Sequence, residues 1–400
     1  MLNLRLLTPH GTYLLNCVSE ELHVEHVLKI NDIPYNSVSA YRISETGEAE
    51  LISFIGKSVG DLIKEVEGAD FIFRTDRNIN YQALLTKDTN LYKPAGKIAA
   101  EYVFDTHGQG AKEHVLLTQE ECRSFVTSEV RKAMEKFAPT YLSEKIVVGI
   151  SGGGDSNTLL KSLLDIGVDS RALVPVMMMG IPDWDKGLPR AQEICAEAGL
   201  SLRVVSAQEV GLLLGRDNGN WAEDFETFYP SSDLEVIGTL AVRLALSSVA
   251  REIGTGLVIT GINLEDILAE SFYAVMRGEN LSPFPRRPLD GVDFLYPLYR
   301  CPKRILDGCY PKFSLENYLD RYPSELYWRA MSYYLAQSIS TTLAGAEFML
   351  VDGFQNLSAK NPAVPEYYDI LGFSAKPGLT AAEIQKWRAY LTGKAVGGKK

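Results

Sequence analysis

Six consecutive residues, Ser151-Gly152-Gly153-Gly154-Asp155-Ser156, set three glycines between hydroxyl and carboxylate side chains. Residues without a Cβ let backbone N–H groups approach an anion closely, and Ser151 and Ser156 add hydroxyl donors. Asp155 can cap a following helix or hold a metal ion. The chemistry open to such a set is capture of a phosphate, provided the glycines open a helix. There the first amides lack partners and the helix dipole is positive. The flanking residues supply that setting. Ile146-Val147-Val148, continued by Gly149-Ile150, reads as a short strand buried on both faces. Leu159, Leu160, Leu163 and Leu164 then mark one face of a helix.

Two further blocks concentrate reactive side chains. Thr260-Gly261-Ile262-Asn263-Leu264-Glu265-Asp266 is followed by Glu270-Ser271-Phe272 and Met276-Arg277-Gly278. Tyr296-Pro297-Leu298-Tyr299-Arg300-Cys301-Pro302-Lys303-Arg304-Ile305-Leu306 carries a thiol two residues before an ammonium, which would favour the thiolate. Gly56-Lys57-Ser58 invites a Walker A reading. That motif needs a glycine five residues before its second glycine, and Leu51 stands there, so the reading is rejected.

The first stretch resembles, over all six positions, the Ser-Gly-Gly-x-Asp-Ser loop of the N-type ATP pyrophosphatases, the PP-loop superfamily. That family includes GMP and NAD synthetases, asparagine synthetase, tRNA-lysidine synthetase and several sulfur-inserting enzymes. The second block resembles the Thr-Gly-His-Asn-x-Asp-Asp...Glu-Thr...Arg-Gly stretch of the tRNA-lysidine synthetase and tRNA cytidine-thiolase branch. Ile262 stands where that branch has histidine, and Glu265 where it has the first aspartate. The third block is similar to the Arg-Pro-Leu-Leu...Lys/Arg-x-Glu-Ile segment that closes the catalytic domain there. Together these cover roughly residues 140–310.

The resemblance implies an adenine nucleotide alpha-hydrolase-like fold. It implies that ATP is bound with its β- and γ-phosphates on Ser151, Gly152, Gly153, Gly154, Asp155 and Ser156, with Gly261 beside them. Adenine would lie against backbone at the end of the second strand, at Met179 and Gly180. Asp155, Glu265 and Asp266 would reach a Mg²⁺ carried by the phosphates, and Arg243 and Arg277 would steady phosphate or substrate charge. Asp155, Asp266 and Lys303, with Cys301 where sulfur is used, form the implied catalytic set. The implied chemistry is transfer of AMP to a substrate oxygen with release of pyrophosphate.

The elements that must position these residues alternate from residue 146 onward. Strands are expected at 146–150, 171–179, 202–206 and 257–260, with helices at 188–198 and 233–253 between them. That alternation predicts a doubly wound parallel sheet, α/β in class, with ligands outside the carboxyl ends of the strands, where Ser151, Gly180 and Gly261 fall. A capping box, Thr118-Gln119-Glu120-Glu121, opens a helix ahead of the loop strand, and Thr380 with Glu383 opens a last one. Residues 1–90 read as a small α+β domain with a β-grasp-like order of hairpin, helix and hairpin. Residues 91–117 read as connector, 118–310 as the nucleotide domain, and 311–400 as a helical region ending in a flexible tail, GKAVGGKK.

Composition bounds the partners. The chain is 46% hydrophobic and 23% charged, with a net charge of −11, which weighs against a broad nucleic-acid footprint; tRNA is therefore a disfavoured partner. No apolar run reaches the roughly 18 residues of a membrane span. Five widely spaced cysteines fit a reducing cytoplasm. After adenylation, either an amine or ammonia attacks the adenylate, or sulfur does. Thiolation in the resembled family needs cysteines near the loop, and the CxxC of the cytidine thiolases is replaced here by Pro230-Ser231-Ser232-Asp233. The expectation is a ligase acting on a small-molecule or nucleoside substrate, with a nitrogen or sulfur donor protein and homo-oligomerisation both open. A thiolating enzyme and a non-catalytic nucleotide-binding protein are the alternatives.

Overall fold

The computed structural model describes residues 4–392 except 9–10, 16, 18, 32, 34–38, 45, 47–48, 55, 67–69, 75–97, 106–111, 230–233, 321–326 and 343–344. The C-terminal GKAVGGKK, from Gly393 on, and Pro230–Asp233 lie outside the described residues. The chain divides into two units. The first comprises Met1–Ala95, Glu101–Leu116 and Tyr334–Met349, the second Gly96–Ala100, Leu117–Tyr333 and Leu350–Lys400.

In the first unit β1 (Arg5–Thr8) and β2 (Gly11–Leu14) form a hairpin, followed by α1 (Val24–Ile30), β3 (Ser39–Ile43), β4 (Ala49–Ile52), α2 (Val59–Glu65) and β5 (Asp70–Arg74). The sheet order is β2-β1-β5-β3-β4, with β1 parallel to β5 and the other pairs antiparallel. Val24, Val27 and Leu28 of α1 are fully buried against Phe71, Phe73 and Leu62, which is the apolar stripe that holds the helix on the sheet. Ser58, rejected above as a phosphate ligand, caps α2 by accepting from the amide of Asp61.

Residues expected as connector contain two strands, β6 (Ile98–Asp105) and β7 (Lys112–Thr118), paired as a ribbon. Then α3 (Gln119–Phe137) opens with the capping box of Thr118 and Glu121. The second unit continues with β8 (Ile146–Gly149), α4 (Gly154–Asp165), β9 (Leu173–Met178), α5 (Pro182–Asp185), α6 (Leu188–Glu197), β10 (Arg203–Val205), α7 (Ala207–Leu213) and α8 (Trp221–Phe228). It goes on through α9 (Leu234–Ile253), β11 (Leu257–Ile259), α10 (Leu264–Met276), β12 (Arg286–Leu289), β13 (Val292–Leu295), α11 (Lys303–Cys309) and α12 (Pro311–Asp320). Last in the chain come α13 (Tyr327–Thr342) and α14 (Ala346–Lys360), of which Tyr334–Met349 belongs to the first unit, then the hairpin of β14 (Glu366–Tyr368) and β15 (Phe373–Ala375), and α15 (Ala381–Leu391). The C-terminal region is thus helical with one hairpin inserted.

Six strands form the main sheet in the order β10-β9-β8-β11-β13-β12, all parallel except the edge strand β12. Ile146, Val147, Val148, Val258 and Ile259 have no exposed surface, as a strand covered on both faces requires. The chain moves from β8 outward to β10, then returns across β8 to β11. Right-handed crossovers moving in opposite directions place helices on opposite faces, which makes the sheet doubly wound. The order reverses between β8 and β11. A crevice opens at such a reversal outside the strand ends, and the loops after β8 and after β11 form its two lips.

Candidate active site

The loop after β8 is held open by its glycines. Gly152 has φ +76°, and a Cβ on it would stand 2.3 Å from the carbonyl oxygen of Gly187. Gly187 is in the same position from the other side, 2.3 Å from the Ser151 oxygen, so the two glycines let the loop and the start of α6 touch. Gly153 is the N-cap of α4 and supplies no side-chain cap. The expectation that Asp155 caps this helix is therefore corrected: its carboxylate turns away to other partners. Ser156 is buried, donates to the Gly153 oxygen at 3.0 Å and accepts from the Ser151 amide at 3.3 Å, while the exposed Ser151 hydroxyl accepts from the Gly153 amide at 3.4 Å. What remains is a left-handed glycine turn feeding a helix N-terminus without a cap, a fit for phosphate oxygens.

Charge gathers beside it. Lys303, at the start of α11, donates from Nζ to Asp155 Oδ1 at 2.8 Å and to Asp307 Oδ1 at 2.6 Å. Burial alone would lower the ammonium's pKa, but Asp155 and Asp307 outweigh it and hold the group above its ordinary value. Asp155 Oδ2 accepts from Asn263 Nδ2 at 3.0 Å, which ties the two lips of the crevice together. Asn263 also caps α10: its Oδ1 accepts from the Asp266 amide at 3.0 Å, and its own amide donates to Asp266 Oδ2 at 3.0 Å. Tyr333 donates to Asp266 Oδ1 at 3.0 Å. Burial pushes the Asp266 carboxyl up, and the Asp155 charge adds to that, against the hydrogen bonds from Asn263 and Tyr333. Gly261 abuts α4, its Cβ position 3.4 Å from the Ser156 amide.

The fold gathers Asp155, Gly261, Asn263, Asp266 and Lys303, and the carboxylates expected to reach a Mg²⁺ carried by the phosphates each have a protein partner here. Glu265 is buried and accepts from the Lys303 amide at 2.8 Å, Asp266 is spent on capping, and Asp155 already faces an ammonium. Among the described residues no group of three His, Cys, Asp or Glu side chains could hold a metal ion. These carboxylates do not make a protein-built Mg²⁺ cage.

At the end of β9, Met179 and Gly180 are half-buried. The Met179 amide donates to the Val205 oxygen and the Gly180 amide to both oxygens of Asp185, so neither is left to read a base. Gly180 has φ +125°, and the buried Trp221 indole lies 2.4 Å from where its Cβ would be. Two arginines expected to face the phosphates do not. Arg243 forms a buried ion pair with Asp290 at 2.7 Å and donates to the Ser374 carbonyl, and Arg277 pairs with Glu279 at 3.0 Å at the end of α10.

Cys301 has no exposed surface, and its thiol is pushed well above the ordinary value by burial, then by Glu129 and Cys309. Burial thus opposes the thiolate expected from Lys303, whose ammonium is directed to Asp155 and Asp307. Cys309 is buried too, its thiol pushed up to about 12 by burial and the neighbouring Cys122.

Sequence reasoning missed five residues here. Asp307 shares the Lys303 ammonium, a pairing its i,i+4 spacing on α11 could have signalled. Arg190 donates from Nε to the Gly152 carbonyl at 3.0 Å. Asn157 is fully buried in the first turns of α4 with both polar atoms unpartnered. Ser314 and Asn317 of α12 lie on Gly154 and Gly153. Asn157 follows the loop directly in the chain, whereas Arg190, Ser314 and Asn317 are brought in by tertiary contact, which no spacing announces.

No family model and no curated protein matches the chain. Solved structures similar to it include a U34-tRNA thiolase, NcsA, from Methanococcus maripaludis with its [4Fe-4S] cluster, at 19% identity, covering 70% of this chain and 91% of that one, TM-score 0.49. An NH3-dependent NAD synthetase from Campylobacter jejuni follows at 15% identity, covering 63% of this chain and 100% of that one, TM-score 0.35. An NMN synthetase from Francisella tularensis is similar at 14% identity, covering 63% and 99%, TM-score 0.37. At those values the likenesses carry no argument; the reading of the site rests on its own geometry.

Proposed function

We propose that the chain is an N-type ATP pyrophosphatase that adenylates a substrate oxygen. The observation that carries this reading is the glycine loop at the reversal of the sheet: an uncapped helix N-terminus beside a lysine ammonium. The β- and γ-phosphates of ATP would lie on the amides of 152–156, with Mg²⁺ arriving as the triphosphate's own counter-ion. A substrate oxygen attacks the α-phosphorus, the bond to the bridging oxygen breaks, and pyrophosphate leaves with the negative charge. Lys303, kept protonated by its carboxylates, acts as a fixed positive charge near that leaving group rather than as an acid.

An amine or ammonia then displaces AMP. Burial of Cys301 and Cys309, both with raised thiol pKa values, supports nitrogen over a persulfide carried on either sulfur. The protein incubated with α-labelled ATP and a deproteinised small-molecule extract should form AMP and pyrophosphate in equal amounts. Asp155→Asn and Ser151→Ala should each abolish this while remaining folded. ADP and phosphate as products, or full turnover in either variant, would sink the assignment.

A further inference from the structure

We propose that Ser314 and Asn317 of α12 are the second wall of the phosphate site and donate to the phosphate oxygens held on the glycine loop. The inference rests on the pyrophosphatase reading and deepens it. These residues lie beyond 310, outside the stretch whose motifs point to ATP. They are one helical turn apart and therefore share a face. That face lies on the loop. A Cβ on Gly154 would stand 2.0 Å from Ser314 Oγ, and one on Gly153 would stand 3.1 Å from Asn317 Cγ. Glycines at 153 and 154 are thus what admits α12 to the site, with the serine hydroxyl resting on the first residue of α4.

The hydroxyl itself has no partner. Ser314 Oγ is buried and makes no hydrogen bond. A serine inside a helix commonly bonds the carbonyl four residues back. Here the Tyr310 carbonyl accepts from the amides of Phe313, at 3.1 Å, and Ser314, at 3.3 Å, and not from the hydroxyl. A buried hydroxyl left unpaired is destabilising, so a compensating acceptor is expected. The neighbouring groups do not supply one: the first turn of α4 presents amides, also donors, with no side-chain cap. The Ser314 hydroxyl, which has no partner, and the amides of α4 thus bring donors from two elements to one loop. An anion rich in oxygens satisfies both at once, and a triphosphate or free pyrophosphate has that chemistry.

The test measures binding of labelled ATP with Mg²⁺, and separately of pyrophosphate, by equilibrium dialysis, together with thermal unfolding of the nucleotide-free protein. Ser314→Ala should unfold at or above the temperature of the unaltered protein, because it removes an unpaired hydroxyl. It should bind ATP about tenfold more weakly, because a hydrogen bond to a charged oxygen is lost. Asn317→Asp should weaken binding further by placing a carboxylate against phosphate. Weakening of both ligands assigns the wall to the pyrophosphoryl part, and weakening of ATP alone places it nearer the α-phosphate; either supports the proposal. Unaltered affinity for both ligands in folded Ser314→Ala and Asn317→Asp would overturn it. Should Ser314→Ala fail to fold, Asn317→Asp alone decides. If the unaltered protein binds neither ligand, the pyrophosphatase reading itself fails, which is a different result.

Discussion

Lys303 sits between two carboxylates, and that position determines what it can contribute. Its ammonium is shared by Asp155 and Asp307, which keeps it protonated beyond its ordinary value of 10.5. The adenylation rate should therefore show no alkaline loss attributable to Lys303 below that pH. Lys303→Met should lower formation of AMP and pyrophosphate by about a hundredfold, the scale seen when one donor to a developing charge is removed. An unchanged rate would show that the ammonium only braces Asp155. The thiols make a second prediction at this scale. Of the five cysteines only Cys17 is exposed, and burial pushes Cys122, Cys195, Cys301 and Cys309 toward the protonated thiol. A disulfide reagent near pH 8 should titrate one thiol quickly and the other four only on denaturation. Cys301→Ser should keep most activity. Loss of final product with AMP and pyrophosphate formation retained would instead favour the sulfur-transferring alternative.

Elements carry the site by relays of packing, and α15 is the far end of one. The Tyr390 hydroxyl donates to the Trp221 carbonyl at 2.8 Å, and the Trp221 indole backs Gly180 at the end of β9. The helix is opened by Thr380, which accepts from the Glu383 amide, while the Glu383 carboxylate accepts from Thr380. Removing the cap with Thr380→Ala should cost about 1 kcal/mol. The Thr380 backbone and side-chain hydrogen bonds, with help from Lys376, hold the Glu383 carboxyl at about 2, against an ordinary 4.5. A depressed acid stabilises the fold above its unfolded value and loses that contribution as pH falls through its folded one. In urea unfolding, the gap between the unaltered protein and Glu383→Gln should shrink from pH 4.5 down to about 2; a constant gap would refute the assignment. This cap was legible because a box is local. So were β8, β9 and β11, apolar runs in the manner of buried parallel strands. The hairpin of β12 and β13 was not read: Arg286, Arg287 and Pro288 look like loop, and an edge strand tolerates them. Its one local signal was Asp290-Gly291, both with positive φ, the turn that joins such strands. The partners that Glu265 and Asp266 have here, the Lys303 amide and the Asn263 amide, were not legible, because sequence shows a carboxylate but not which amide it will accept from.

At the scale of the molecule, neither unit is a single stretch of chain. The second unit takes in Gly96–Ala100 ahead of its main body, and the first unit takes back Tyr334–Met349 from far downstream. Physical reasons for both excursions are visible inside each unit. Ala100 packs at the Gly308 turn of α11, where a Cβ on Gly308 would stand 3.2 Å from the Ala100 methyl and 2.8 Å from Cys122 Sγ. In the first unit, Glu347 has no exposed surface and accepts from the Tyr102 hydroxyl, and Phe348 meets the rings of Tyr102 and Phe104. A sequence boundary at residue 118 separates each of these pairs. A chain of residues 118–400 would lose the Ala100 contact and the contacts that Glu347 and Phe348 make with Tyr102 and Phe104. Deleting a buried aromatic contact set of this kind typically costs about 3–5 kcal/mol per large side chain removed, a large share of the stability of an ordinary domain. The expected outcome is that 118–400 is recovered mainly as aggregate, or melts well below the full chain, and binds ATP poorly although every loop residue is present. A soluble 118–400 with the full chain's melting temperature and ATP affinity would show that the interleaved segments are dispensable and that the second unit folds as a continuous domain.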